Sequence, residues 1–312
     1  MGSRRVALII GASRGIGRQI AIDFAREGYA VVVAAKSISD ATSIDPFPPD
    51  PNSNQSTIST VAREITDAGG EATAIPVDVR DYQSLQSLLD KTVKKYLQLD
   101  VLVYNSGAIW WASVENTPMK RFKLLQSVNP EGLYGAVQAA LPFFEKNDWC
   151  GRIIVVSPPI YSRFFRGKTA YAMGKVGMSV LTKGLAMDFE REGKIRMAIT
   201  SIWPAVSIES AATQQFRLRD ASSVKDLRKA SIFSDAILAM VNSEPSLVNG
   251  LLELDEDFLR KYVGMKDFSK YSVVEGATPR RIMPASFPDL RVAEQNDEGR
   301  RVDSTTLRAS KI

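Results

Sequence analysis

The sequence predicts an α/β fold: a doubly wound parallel sheet of about seven strands in a single domain, with helices on both faces. Three observations carry this expectation. Short apolar runs alternate with segments of helical period along most of the chain. The first apolar run leads directly into a glycine-rich turn. The length, 312 residues without an internal repeat, fits one α/β domain of about 250 residues plus an extension.

The elements follow in order. Val6–Ile10 is a continuous apolar run ending at Gly11, the pattern of a strand buried on both faces. Residues 16–27 place Ile16, Ile20 and Phe24 at helical spacing and stop at Gly28. Ala30–Ala35 repeats the buried-strand pattern. Residues 38–56 are polar and carry Pro46, Pro48, Pro49 and Pro51; a loop of this length is functional or mobile. A helix over 57–68 closes at Gly69 and Gly70, and a strand over 72–77 follows. Tyr82–Tyr96 reads as a helix and Val101–Tyr104 as a strand. A long helical region covers 118–146. A local break is expected at Asn129-Pro130, because proline lacks an N–H and disfavours helical geometry in the residue before it.

The second half continues with a strand over 152–156, a helix over 169–192 and a strand over 195–203 ended by Pro204. Helical segments over 209–216 and 224–241 precede a last strand over 251–254. Right-handed crossovers join such strands into a parallel sheet. After about Gly264 the pattern decays, and residues 279–312 hold too few large apolar side chains for a core of their own.

Composition excludes several kinds of chemistry. The chain has no histidine, which removes Ser–His–Asp hydrolysis, Cys–His proteolysis and every His-ligated metal site. A single cysteine, Cys150, excludes an intramolecular disulfide and a cysteine-cluster zinc site, and suits a reducing compartment. The formal net charge of +5 is not concentrated in any Lys/Arg-rich run, so nucleic acid is not an expected partner. No stretch reaches the roughly 18 apolar residues of a membrane span. The apolar residues at the start run into a glycine loop, so they read as a strand and not as a signal peptide. Catalysis is left to Tyr, Ser, Lys, Asn, carboxylates or a bound cofactor.

Two motifs suit a nicotinamide coenzyme. Gly11-Ala12-Ser13-Arg14-Gly15-Ile16-Gly17 lies between a strand and a helix, where glycines let backbone N–H groups approach a pyrophosphate and the helix adds its positive end. At the end of the second strand an acid would bind the ribose hydroxyls of NAD. This chain has Ala35-Lys36-Ser37 there. Lys36 and Arg14 offer two cations for a 2′-phosphate and Ser37 a hydroxyl; singly each cation would be a solvated surface charge, but together, with the acid missing, they favour NADP(H) over NAD(H). The second motif is Tyr171-Ala172-Met173-Gly174-Lys175, which puts Tyr and Lys on one helix face. A free phenol, with a pKa of about 10, is a poor acid or base near neutrality; a nearby ammonium lowers it toward working range. Ser157, fourteen residues before the tyrosine, ends a strand at the carboxyl edge of the sheet, where its hydroxyl suits a substrate oxygen. Pro158 and Pro159 hold it extended.

A glycine loop near the start followed by Asn129, Ser157, Tyr171 and Lys175, in that order, resembles the short-chain dehydrogenase/reductase family over about residues 4–260. The narrower likeness is to the hydroxysteroid dehydrogenase-like proteins. They share the Pro-rich loop after strand two, the Val156-Ser157-Pro158-Pro159 run, Trp203-Pro204 without a following Gly, and Asp255-Glu256 in place of Asp-Gly-Gly. A lipid-binding domain that can follow in those relatives has no counterpart in these residues.

The resemblance implies a Rossmann-like sheet and further roles. Asn129 would hold a water linked to Lys175, and Lys175 would also bind the nicotinamide ribose. Asp78 would meet the adenine, or else cap a helix. Asn105 and Gly107, in Tyr104-Asn105-Ser106-Gly107, stand where the family has Asn-Asn-Ala-Gly. Pro204, Ile208 and Ser210 would face the nicotinamide carboxamide, and residues 211–224 would cover the substrate. Trp110, Trp111, Tyr161, Phe164, Phe165 and Trp203 suit an apolar pocket, or core and oligomer packing.

The implied division is an NADP-binding catalytic domain over 1–264 and a C-terminal extension over 265–312. The implied activity is ketone–alcohol interconversion with a small carbonyl or alcohol substrate, in a homodimer or homotetramer. The alternatives are a non-catalytic NADP-binding regulator and a non-redox dehydratase or isomerase on the same fold. Ser310-Lys311-Ile312 is close to a peroxisomal address, which leaves peroxisome and cytoplasm in balance.

Overall fold

The computed structural model describes residues 4–214 and 220–290. Ser310-Lys311-Ile312 and part of the segment expected to cover the substrate lie outside them. Seven strands form one sheet in the order β3-β2-β1-β4-β5-β6-β7. They are β1 (Val6–Ile10), β2 (Ala30–Ala35), β3 (Glu71–Pro76), β4 (Val101–Tyr104), β5 (Gly151–Val156), β6 (Met197–Trp203) and β7 (Leu252–Leu254). Every neighbouring pair is parallel.

The continuous apolar runs are explained by coverage of both faces. Side chains alternate along each strand. Ala7 and Ile9 of β1, Val31 and Val33 of β2, and Val101 and Val103 of β4 join one core. Leu8 and Ile10, Val32 and Ala34, and Leu102 and Tyr104 join the core on the opposite face. The helices that cover these faces are α1 (Gly15–Arg26), α2 (Ile58–Asp67), α3 (Tyr82–Tyr96), α4 (Met119–Gln126), α5 (Gly132–Lys146), α6 (Thr169–Arg191) and α7 (Ser231–Asn242). Thr57 starts α2 with a capping box to Thr60, and Asp81 caps α3 by accepting from the Gln83 N–H.

The break expected at Asn129-Pro130 is present: the region over 118–146 is divided by a π-turn, Ser127–Glu131, that contains Pro130. Two other expected helices differ in the structure. Of the helix expected over 209–216, residues 209–213 are irregular chain and turn. The segment expected to be helical from 224 begins as the 3₁₀ turn Ala221–Asp226, and α7 starts only at Ser231. Between them Arg228 pairs through its backbone with Ile208 and Ser272. Its side chain is buried and bonds the Glu256 carboxylate at 2.8 and 2.7 Å, the Phe268 carbonyl at 2.7 Å and Ser272 Oγ at 3.1 Å. Tertiary pairing of one arginine overrides the local helical pattern.

Three consecutive acids after β7 tie distant segments together. Asp255 accepts the Ala205 N–H at 2.8 Å, Glu256 holds Arg228, and Asp257 takes Arg281 in a two-pronged pair at 2.7 and 2.8 Å. Burial raises the Asp255 carboxyl to about 7, against the pull of its backbone hydrogen bonds. Beyond Gly264, Met283 is buried against Ala205 and Leu254, and Phe287 packs beside them. Residues up to 290 therefore use the core of the domain and do not need one of their own.

Glu256→Ala leaves the Arg228 guanidinium buried without its charge partner. Loss of one member of a buried pair costs about 3–5 kcal/mol, so the variant is expected to lose about that much stability in denaturant unfolding.

Candidate active site

The strand order reverses between β1 and β4, and the site lies at the carboxyl ends of these strands, where open α/β sheets take their ligands. A groove of about 600 Å³ opens there. Gly11, Ser13, Arg14, Gly15 and Ile16 line it from the first turn. Lys36, Ser37, Asp78, Asn105, Gly107 and Ser210 line it from the other strand ends.

The glycines are required by close approach. Gly11 has φ +90°, and a Cβ there would stand 2.6 Å from Ser106 N. A Cβ on Gly17 would overlap the Gly11 carbonyl, which also accepts from Asn105 Nδ2 at 2.9 Å. The Asn105 side chain thus fixes the glycine turn. Tyr104, where the resembled family carries an Asn, is buried, and its hydroxyl donates to the Val128 carbonyl at 2.6 Å.

At the outer end of the groove, Asp78 does not cap a helix, since Asp81 does so. Arg80 grips Asp78 with two bonds of 2.8 and 2.5 Å, and Lys36 approaches it at 3.2 Å. The Arg80 hydrogen bonds hold the Asp78 carboxyl well below the usual carboxylate range. The groove therefore carries three cations, Arg14, Lys36 and Arg80, around one carboxylate. Sequence reasoning missed Arg80; its signal was the two-residue spacing from Asp78 past the end of β3.

At the inner end, Lys175 and Tyr171 lie one turn apart on α6 and are both buried. Lys175 Nζ donates to the Val156 carbonyl at 2.8 Å and stands 5.5 Å from the Trp203 ring centre. A Cβ on Gly107 would lie 3.2 Å from Lys175 Nζ and 3.4 Å from Asn129 Oδ1, so this glycine keeps the approach to the lysine clear. Asn129 is fully buried in the π-turn. Its Oδ1 accepts from Ala108 N at 2.9 Å and its Nδ2 donates to the Ala108 carbonyl at 3.1 Å. Its amide therefore fixes the strand-end segment beside Lys175.

Ser157 is buried at the end of β5. Ser179 Oγ, on α6, lies 2.9 Å from Ser157 Oγ and 2.7 Å from the Pro158 carbonyl. Its one proton serves one of them at a time, so Ser179 governs which way the Ser157 hydroxyl points. Sequence reasoning missed Ser179; its signal was a second polar residue one turn after Lys175.

Aromatic rings close the site. Tyr171 meets Trp111 and Phe164 at 6.2 Å each, and Phe164 meets Trp203 at 5.8 Å and Tyr161 at 6.0 Å. The C-terminal segment adds Phe287, 5.3 Å from Tyr161, and Met283, whose sulfur receives the Tyr161 hydroxyl at 3.3 Å. Trp110 packs in the same cluster, and Phe165 is exposed. After β6 and Pro204, Ile208 is buried and Ser210 lines the groove.

One expectation is corrected. A lysine neighbour was expected to lower the Tyr171 phenol, but burial raises it above its ordinary value. Burial also lowers Lys175 to about 7, so it is not a full ammonium at neutral pH. Desolvation dominates both groups in the protein alone.

Comparison with known proteins agrees with this architecture. The short chain dehydrogenase family model matches residues 5–45 and 52–219. The chain belongs to the short-chain dehydrogenase/reductase family. Members of this family use a nicotinamide coenzyme. Hydroxysteroid dehydrogenase-like protein 2 of Rattus norvegicus is 35% identical over 283 residues, covering 90% of this chain and 50% of the relative. The chain thus spans about half the length of that curated protein. A short chain dehydrogenase from Mycobacterium thermoresistibile superimposes with a TM-score of 0.76 at 32% identity, covering 88% of this chain and 93% of the other. A 7α-hydroxysteroid dehydrogenase complexed with NADH and 7-oxo glycochenodeoxycholic acid gives a TM-score of 0.63 at 25% identity, covering 80% and 92%.

These residues fit such a coenzyme. The glycine turn lines the groove with Gly11, Ser13, Gly15 and Ile16, and Lys175 is buried with one carbonyl partner and further N–H bonds to give.

A pH dependence follows from Lys175. Its folded value of about 7 lies below the ordinary lysine value of 10.5, so between these limits the unfolded chain binds more protons than the folded one. Stability is therefore expected to rise with pH across that window. Lys175→Met removes this component, and chemical unfolding of both proteins between pH 7 and 10 checks it.

Proposed function

We propose that this protein is an NADP(H)-dependent oxidoreductase that interconverts a ketone and a secondary alcohol on a mainly apolar substrate. The observation that carries the reading is a buried lysine one helical turn from a buried tyrosine, both at the inner end of a glycine-lined groove. The bound coenzyme supplies hydride transfer. The chain supplies the rest. Backbone N–H groups of the glycine turn bind the pyrophosphate. Lys175 binds the nicotinamide ribose, whose hydroxyls favour its charged form; only in that loaded site does its charge oppose the burial that raises the Tyr171 phenol. Tyr171 gives or takes the proton at the substrate oxygen. Ser157 orients that oxygen, and Asn129 supports the relay by fixing the segment beside Lys175. Asp78 faces the adenine, and Pro204, Ile208 and Ser210 flank the carboxamide.

The preference for NADP(H) is supported by three cations against one carboxylate at the outer end of the groove, and by the absence of an acid after β2. Phosphate favours such donors. An apolar substrate is supported by the ring cluster of Trp111, Tyr161, Phe164 and Trp203, together with Met283 and Phe287. The bile-acid ketone named with the solved neighbour is a rational first substrate to assay.

A homodimer or homotetramer is supported by an open face between α5 and α6. Tyr134, Val137, Leu141, Val180, Leu181 and Leu185 surround a groove of about 720 Å³ there. Sedimentation of the purified chain as a dimer or tetramer, and its dissociation on Val180→Glu, is the expected behaviour.

Two measurements test the reading. NADPH is expected to raise the melting temperature more than NADH at equal concentration, because the tighter ligand stabilises more by mass action. Tyr171→Phe is expected to keep that shift while turnover of a ketone panel falls by at least about a hundredfold. Retained turnover in this variant overturns the assigned role.

A further inference from the structure

The loop over 38–56 has no part in the site so far, yet three hydrogen bonds tie it to the glycine turn. Ser56 Oγ donates to the Ser13 carbonyl at 2.7 Å, Gly15 N donates to the Pro51 carbonyl at 2.8 Å, and Arg14 Nη1 donates to Asn54 Oδ1 at 2.6 Å. Asn52 Oδ1 is buried without a partner beside them, 3.5 Å from where a Cβ on Gly15 would stand.

The Arg14 contact differs from those of the other two cations. Lys36 and Arg80 both lean on the Asp78 carboxylate, which spends part of their charge. Among the described residues Arg14 has no carboxylate partner, and the group that holds it is a neutral amide. A neutral acceptor fixes the guanidinium and leaves its full charge and remaining N–H groups for an anion. A long side chain held in place before binding loses less freedom on binding.

We propose that Asn54 is a positioning residue that determines coenzyme specificity, by holding the Arg14 guanidinium ready for the 2′-phosphate. This rests on the NADP(H) reading above. The loop is thereby a working part of the coenzyme site, contributed by an insertion after β2 and not by a strand end.

The test is direct binding of NADPH and NADH to the full-length protein, followed by coenzyme fluorescence. Asn54 is exposed, so its variants are expected to fold. Asn54→Ala is expected to weaken NADPH about tenfold and NADH by less than about twofold. Asn54→Asp, nearly the same in shape, is expected to weaken NADPH further, because a carboxylate neutralises Arg14. In an Arg14→Ala background, Asn54→Ala is expected to add nothing, which a merely structural role of the loop would not produce. Unchanged NADPH affinity in both single variants, or equal weakening of both coenzymes, overturns the proposal. A wild-type protein that prefers NADH overturns the NADP(H) reading itself. A wild type that prefers NADPH, with variants that keep that preference, overturns only the role of Asn54.

Discussion

The site depends on burying one lysine among neutral groups. Lowering Lys175 from 10.5 to about 7 corresponds to roughly 5 kcal/mol against its charged form. That balance already includes the bond to the Val156 carbonyl, so one acceptor for an ammonium with three N–H groups does not restore the charge. The surroundings must hold the lysine in place regardless. They do so with the end of β5, the amide of Asn129, and two glycines, Gly107 and Gly174, whose side chains would otherwise press on Lys175 and Asn129. On the proposed reading, ribose hydroxyls supply the missing acceptors, which couples coenzyme binding to the charge of the lysine. The proton chemistry of Tyr171 then becomes available only in the loaded site.

Much of this was legible in the sequence because it follows from local rules. Buried parallel strands must be apolar on both faces, so Val6–Ile10 and Ala30–Ala35 declare themselves. A glycine turn between strand and helix declares the groove, and the spacing of Tyr171 and Lys175 declares a shared helix face. The break at Pro130 follows from a missing N–H. The residues that were not legible act across long separations. Arg228 reaches Glu256 and delays to Ser231 the start of a helix that the local pattern begins at 224. Ser179 matters only because β5 ends beside α6. The direction of the Tyr171 shift depends on how much surrounding protein excludes water, which residue spacing does not encode.

The acids after β7 show how the outer parts of the chain are held to this centre. Asp255 fixes the segment that follows β6, Glu256 fixes the strand-like pairing of Arg228 against it, and Asp257 fixes the returning C-terminal segment. Where the resembled family has small residues after an aspartate, this chain has three carboxylates in a row, each with its own partner. The segment that follows β6 and the C-terminal segment that packs on the ring cluster are therefore secured from one short stretch of chain.

The π-turn has a consequence for how this sequence can change over time. It shifts the Gly132 N–H onto the Ser127 carbonyl and leaves the Val128 carbonyl without its helical partner. The Tyr104 hydroxyl takes up that carbonyl, and a Cβ at 132 would overlap the same hydroxyl. Tyr104, Pro130 and Gly132 thus form an interlocked set drawn from a strand, a turn and a helix. Replacing the tyrosine strands an acceptor, and replacing the glycine displaces the tyrosine. A substitution at Tyr104 or at Gly132 is therefore felt at the other, and a change that keeps the turn has to satisfy the Val128 carbonyl by another donor.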